Sequence, residues 1–425
     1  MSTTELTVQN PSETEHALAP ISWKTPSILS VLAALAVLFV AFARGETRMF
    51  IETGVSYWQI PQVTVAALPG TILGFGICAL LAAYSWWTTS RRIKTGMWLP
   101  IVFGVFWVFA FLVWVGSGRD IPIQITGLLS GALFLSIPLI FGSLAGIVCE
   151  RVGVINVAIE GDLLFGAFLA AMVASGTGNP WLGLIAAPIA GALVGCLLAL
   201  FAVKYWVDHI IVGVVLNVLV LGLTNYLYNG LVQATPELRV QVGLPVLPIP
   251  VLSEIPIIGP VFFEGTILLY LMYVAVAVLQ FMLFRSRWGL RMRACGEHPE
   301  AADTVGIKVN RTRIRNTILG GAIAGLGGAY LTVGLGLTFT KEMSSGKGYI
   351  ALAAMILGKW NPKGAVLACL VFGFALNAQG SLAIVNQDVP SQVMNMVPYL
   401  ITIIAVAGLV GRVRPPAMEG VAYKG

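Results

Sequence analysis

The residues best suited to chemistry lie in one short stretch, GVINVAIEGDLLFGA at 153–167, which sets Asn156, Glu160 and Asp162 inside an apolar tract. Of the 19 acidic residues only Glu160 and Asp162 fall within such a tract; the others occupy tails, loops or segment ends. An ionised carboxylate in hydrocarbon costs at least about 2.5–3.5 kcal/mol, so both must face protein or water. If the stretch is helical, a spacing of four puts Asn156 and Glu160 on one face with Val157. That predicts a Glu160 more buried than Asp162. Two roles are open for these groups. They line a path for a polar solute, or they are structural, with Glu160 pairing with Arg151 or satisfying backbone groups at a helix break. Asn217, Asn225, Asn377 and Gln379 also sit within apolar tracts. Buried amides in a bundle serve mostly to join helices, and solute contact is their second reading.

Catalytic constellations are missing. SSGKG at 344–348 lacks the first glycine and the Ser/Thr of a phosphate-cradling loop. The three histidines are scattered and the five cysteines stand singly, without metal-ligand spacing or a disulfide framework. No catalytic residue, metal or cofactor is therefore expected, and the chain is not read as an enzyme.

The elements that hold these residues follow from composition. The chain of 425 residues is 57% apolar and only 10% charged, with mean hydropathy +0.88. Soluble domains carry about 25% charged residues. Several apolar runs reach the roughly 20 residues that cross a bilayer, and they are continuous, not alternating, which selects helices over a barrel. The expected fold is an all-α polytopic membrane bundle of about twelve segments, including short or broken helices. They are placed near 26–43, 64–87, 97–116, 123–148, 153–174, 181–203, 209–230, 264–284, 316–338, 349–360, 364–380 and 393–411. Residues 153–167, rich in glycine and polar groups, and the short run 349–357 before Gly358-Lys359-Trp360-Asn361-Pro362 are the expected broken helices of a pathway. Asp208-His209 opens a segment at the membrane interface. The small-residue run GGAIAGLGGAYLTVGLG, 320–336, predicts close helix packing.

With the N-terminus cytoplasmic, only Arg44, Arg48, Arg119, Arg239, Lys341 and Lys347 of the 25 basic residues fall outside. This bias puts both termini in the cytoplasm and accounts for the net charge of +6 without a nucleic-acid partner. The domain reading is a cytoplasmic tail 1–25, three N-terminal spans within 26–120, a core 121–412 and a C-terminal tail 413–425. Ala41-Phe42-Ala43 is similar to a signal-peptidase site, but the acidic leading segment favours a retained helix. The outward connection 231–263 holds six prolines and is expected to be stiff and non-helical. It is read as a connector or as a docking surface. In the cytoplasmic loop 285–315, Pro299 suits a first helical position. Glu300 favours the helix dipole, Ala301 and Ala302 are strong helix formers, and Gly306 can end the helix. A short helix over most of 299–305 is predicted, with flanking Arg285, Arg287, Arg291, Arg293, Arg311, Arg313 and Arg315 held at anionic lipid headgroups.

Three stretches carry a family resemblance. ERVGVINVAIEGDLLFGAF (150–168) resembles the ERxGVxNIGLEGxxLxGAF signature of ABC-transporter permeases in the branched-chain amino acid/ribose permease superfamily, nearest to its nucleoside and simple-sugar subgroup. RACGEHPEAADTVGI (293–307) resembles that group's RAxGENPxAAxxxGI segment, and ILGKWNPKGA (356–365) its FGxWxPxGA turn. Val157-Ala158-Ile159 stands where Ile-Gly-Leu is usual, and spans two and three look like an addition to the usual ten-span core. The resemblance covers about 121–412. It implies a multi-pass permease of the bacterial inner (plasma) membrane, importing nucleosides or, alternatively, simple sugars. The implied partners are a second homologous permease, an ATP-binding subunit and an extracytoplasmic solute-binding lipoprotein. It also implies that Pro299, Glu300, Ala301, Ala302, Asp303 and Gly306 meet the ATP-binding subunit. An ion-coupled secondary transporter, using Glu160 or Asp162 as its ion site, is the rival.

Overall fold

The computed structural model describes residues 23–50, 62–93, 96, 98–385, 396 and 414–424. The span expected at 393–411 and nearly all of the tail 1–25 lie outside the described residues. The chain divides into two compact units, 1–44 with 67–114 and 45–66 with 115–425.

The first unit holds three apolar helices, α1 (Lys24–Phe42), α2 (Ala67–Ser90) and α3 (Trp98–Val115). On α1 the buried positions Pro26, Leu29, Ala33, Ala36 and Phe39 recur every three to four residues and form one stripe. On α2 the corresponding stripe is small: Gly70, Gly74, Cys78 and Ala82, which lets helix backbones approach. Polar tips find partners inside this unit. The indole of Trp107 donates to the Leu32 carbonyl at 2.9 Å and that of Trp86 to Ser30 Oγ at 2.8 Å.

The second unit carries two small sheets and the remaining helices. Strand β1 (Glu46–Phe50) pairs antiparallel with β2 (Val63–Ala66) and parallel with β3 (Ile123–Gln124). At its centre runs α4 (Ile125–Glu150), apolar on every side and buried over most of its length. A helix hydrophobic all round belongs in a core. Around it lie α5 (Ile159–Thr177), α6 (Pro180–Ala199, with a π-helical extension to Lys204) and α7 (His209–Leu227, with one to Val232). The chain then forms a 3₁₀ turn (Pro236–Arg239), β4 (Val246–Pro248), α8 (Ile258–Phe262) and β5 (Glu264–Thr266), with β4 and β5 antiparallel. It continues through α9 (Ile267–Arg285), α10 (Arg287–Glu297) and α11 (Pro299–Thr304). The last elements are α12 (Val309–Ala329, with a π-helical turn to Gly334), α13 (Lys347–Leu357) and α14 (Pro362–Val385).

Ten of these helices are long and apolar enough to cross a membrane, and α13 is a shorter apolar helix. The described residues adopt the predicted helical, polytopic membrane architecture, with the two small sheets as its only strands among them. The run 320–336 packs as expected: α12 lies on α6 so closely that a Cβ added to Gly321 would overlap the Gly191 backbone, and one on Gly325 the Ala187 carbonyl.

Two local expectations are corrected. The 231–263 connection is not free of helix, because α8 forms there; its Pro260 stands in the first turn, where a backbone N–H has no helical acceptor in any case. Helix α12 starts seven residues before the predicted 316, so Arg313 does not reach lipid headgroups but is 1% exposed. His209, which opens α7 as expected, is buried within the protein, and its Nδ1 accepts from the Ile155 N–H at 3.3 Å. Beside it, Asp208 caps α7 by accepting from the N–H groups of Ile210 and Ile211. Asp208→Ala is expected to cost about 1 kcal/mol, read as a lower melting temperature in detergent; an unchanged value removes the cap from the account.

Candidate functional site

The site forms where α4 ends at Glu150 and α5 has not yet begun. Gly153 adopts φ +93°, a conformation that turns the chain out of the helix. In the connection that follows, Asn156 is fully buried. Its Oδ1 accepts from the Ala158 N–H at 3.0 Å, a local turn that only a short amide or carboxylate makes well. Its Nδ2 donates to Asp162 Oδ2 at 3.3 Å.

Glu160 and Asp162 stand in the first turn of α5, where the helix dipole favours negative charge, but they face different ways. Asp162 is fully buried beneath Asn156, whereas Glu160 is only half-buried. This reverses the predicted order. Asn156 is not helical, so its spacing from Glu160 does not set a shared face. Glu160 accepts from the N–H of Gly346 at 2.8 Å through Oε1 and of Gly348 at 2.6 Å through Oε2. It thereby satisfies two donors that the first turn of α13 leaves open, with the Lys347 ammonium beside it. Gly348 is required here, because a Cβ would collide with the Glu160 backbone.

The predicted alternative pairing of Glu160 with Arg151 does not occur. Arg151 turns instead to the Trp360 carbonyl, with Nε at 3.1 Å and Nη2 at 2.9 Å, and the Trp360 indole donates to Glu150. These contacts clamp a turn in which Lys359 and Trp360 hold positive φ, +58° and +52°. Such strain persists only where surrounding contacts impose it.

Asn217 completes the assembly from α7. It accepts from the Gly161 N–H at 2.8 Å and donates to the Val157 carbonyl at 2.9 Å and to Tyr349 Oη at 3.1 Å. A cavity of about 210 Å³ opens beside it, lined among others by Glu160, Asn217, Glu342, Ser344, Gly346 and Tyr349. Of the predicted path residues, Asn156, Glu160, Asp162 and Asn217 thus come together. Only Glu160 and Asn217 of them line the cavity; Asn156, Asp162, Asn225, Asn377 and Gln379 are not among the lining residues. Asn377 donates to the Leu128 carbonyl at 2.8 Å and joins α14 to α4. Tyr349, Glu342 and Ser344 were missed. Their signal was present in SSGKGY: two glycines ahead of a short apolar run mark a helix start whose bare N–H groups need an acceptor.

The chain's residues 128–406 match the model of the family described as branched-chain amino acid transport system / permease component. The chain belongs to that family. This permease is 38% identical over 313 residues to the guanosine ABC transporter permease protein NupQ of Bacillus subtilis, covering 72% of this chain and 98% of that one. It is 37% identical over 309 residues to the nucleoside ABC transporter permease protein NupC of Lactococcus lactis, covering 70% and 96%. A putative glucose ABC transporter permease protein of Haloferax volcanii is 32% identical over 299 residues, 65% of this permease and 89% of that protein. No solved structure matches. With ten helices among the described residues able to cross a membrane, the permease is a multi-pass membrane component of a transport system, and these relatives are named as ABC transporter permease proteins.

Proposed function

We propose that this chain is the transmembrane permease subunit of an ATP-driven importer of nucleosides. The observation that carries the reading is the 38% identity to a guanosine permease across nearly the whole of that protein. The polar cavity supports it: an aromatic ring, an amide and carboxylates, at Tyr349, Asn217, Glu160 and Glu342, suit a solute with a planar base and hydroxyls. In this reading Asn156, Glu160, Asp162 and Asn217 border the path, and a second, homologous permease contributes its other wall. The half-buried Glu160 holds the start of α13 to α5, so opening or closing there changes access to the cavity.

Energy enters through a separate ATP-hydrolysing subunit. Helix α11 has the shape its sequence predicts, with Pro299 first, Glu300 in the first turn and Gly306 at φ +81° beyond its end. Pro299 and Ala302 are buried, so contact falls to the exposed Glu300, Ala301, Asp303 and Gly306. On the other face, the 231–263 connection exposes Val246, Val251 and Ile258. Exposed apolar side chains on an ordered connection suit a docking protein, here an extracytoplasmic solute-binding lipoprotein.

The test is uptake by the assembled transporter in proteoliposomes. ATP-dependent accumulation of guanosine, competed by other nucleosides but not by glucose, is expected. Accumulation of glucose alone would move the substrate to sugars, in line with the name of the Haloferax relative. Uptake by this chain alone, driven by a proton gradient, would overturn the importer reading.

A further inference from the structure

Residues 414–424 lie across several elements of the second unit at once. The Met418 N–H donates to the Gly296 carbonyl at 2.9 Å, near the end of α10, and the Gly420 N–H to the Gly153 carbonyl at 3.1 Å, in the α4–α5 connection. The Ala417 N–H donates to Glu297 Oε2 at 3.2 Å. From α12, Arg313 Nη1 donates to the Val421 carbonyl at 2.7 Å and Asn310 Nδ2 to that of Tyr423 at 3.4 Å. The side chain of Tyr423 lies beside Asp303 of α11, and the Lys424 ammonium lies 5.5 Å from the Trp206 ring centre.

Two features show that this segment is built in. Arg313 is among the largest fully buried side chains, and its acceptors are the Val421 carbonyl and, through Nη2 at 3.4 Å, that of Cys295. An unmatched buried guanidinium is costly, so Val421 supplies an acceptor that Arg313 needs. The Glu419 carboxyl lies beside Glu150 at the end of α4, with Arg151 nearby, and burial pushes it above its ordinary value.

We propose that residues 416–423 are a transmission strap, which fastens α11 and the end of α10 to the α4–α5 connection and carries the displacement of α11 to Gly153 and hence to Asn156. The strap rests on the reading of α11 as the contact for the ATP-hydrolysing subunit. Beside it, α10 meets the connection directly, with Gly296 against the Arg151 carbonyl. The strap adds hydrogen bonds on both sides of that contact, and its Tyr423 reaches α11 directly.

The experiment compares the assembled transporter in proteoliposomes with two variants: a chain ending at Pro415, and Gly420→Val. The latter keeps the whole chain and strains the strap where it meets the α4–α5 connection, because Gly420 holds φ +74° and a Cβ there would fall 2.7 Å from Ile155 Cδ1. Each carries Ala301→Cys for crosslinking to the hydrolysing subunit. Solute moved per ATP hydrolysed is expected to fall about tenfold in both, within the range of ordinary coupling between sites, while hydrolysis and crosslinking persist. An unchanged ratio overturns the strap, as does a loss of assembly in both variants. Failure of Ala301→Cys to crosslink in the full-length chain overturns the α11 reading itself, which is distinguishable because the strap is then intact.

Discussion

Glu160→Gln is expected to lower solute uptake per inserted permease by about 10- to 100-fold while leaving insertion unchanged. The carboxylate accepts from two backbone N–H groups, those of Gly346 and Gly348, one on each oxygen. Glutamine has one acceptor oxygen, and its amide N–H₂ then faces the second N–H donor. Hydrogen bonds to charged groups contribute about 1.5–3 kcal/mol each, and about 1.4 kcal/mol is tenfold in an equilibrium. The start of α13 loosens from α5 at the rim of the cavity, which alters the path without removing core packing. Uptake in proteoliposomes, normalised to permease inserted, measures this. Equal uptake by the variant and the parent, or a fall matched by lost insertion, would leave Glu160 a purely structural cap.

Gly321→Val is expected to damage folding more than any change at the cavity. The α6–α12 contact is backbone on backbone: a Cβ on Gly321 would meet the Gly191 carbonyl, and one on Gly191 the Gly321 carbonyl, at distances real Cβ atoms do not adopt. No flexible side-chain end is available to move aside, so the helices must separate. Overpacking costs about 1–3 kcal/mol and occasionally more, and this contact runs along the turns that also hold Gly325 against Ala187. The expected result is a loss of monodisperse protein in detergent and a melting temperature well below the parent. Gly222→Val, where an added Cβ has nothing within 4 Å, serves as the comparison. Similar melting of the two variants would refute the close approach.

Much of the architecture was legible because it depends on runs of residues and not on distant contacts. Apolar length marks α1 to α7 and α9, and Pro299, Glu300 and Gly306 delimit α11 by chemistry local to each position. The glycine spacing of 320–336 implied close packing, although not against which helix. Asn156, Glu160 and Asp162 stood out because two carboxylates inside an apolar tract need a partner.

What the sequence by itself determined is thus the helical membrane class, the family motifs and the place of the polar break. The tertiary structure alone decided how the break is used. Glu160 faces the backbone of Gly346 and Gly348 and Asp162 is the one buried, Arg151 clamps Trp360, and Arg313 is buried under Val421. The physical reason is range. Helix length and caps are set by neighbours within about four residues, whereas a buried charge takes whatever acceptor the folded chain brings to it. For Glu160 and Arg313 that acceptor or donor lies more than a hundred residues away in sequence, at separations of 186 and 108, and no local pattern specifies it.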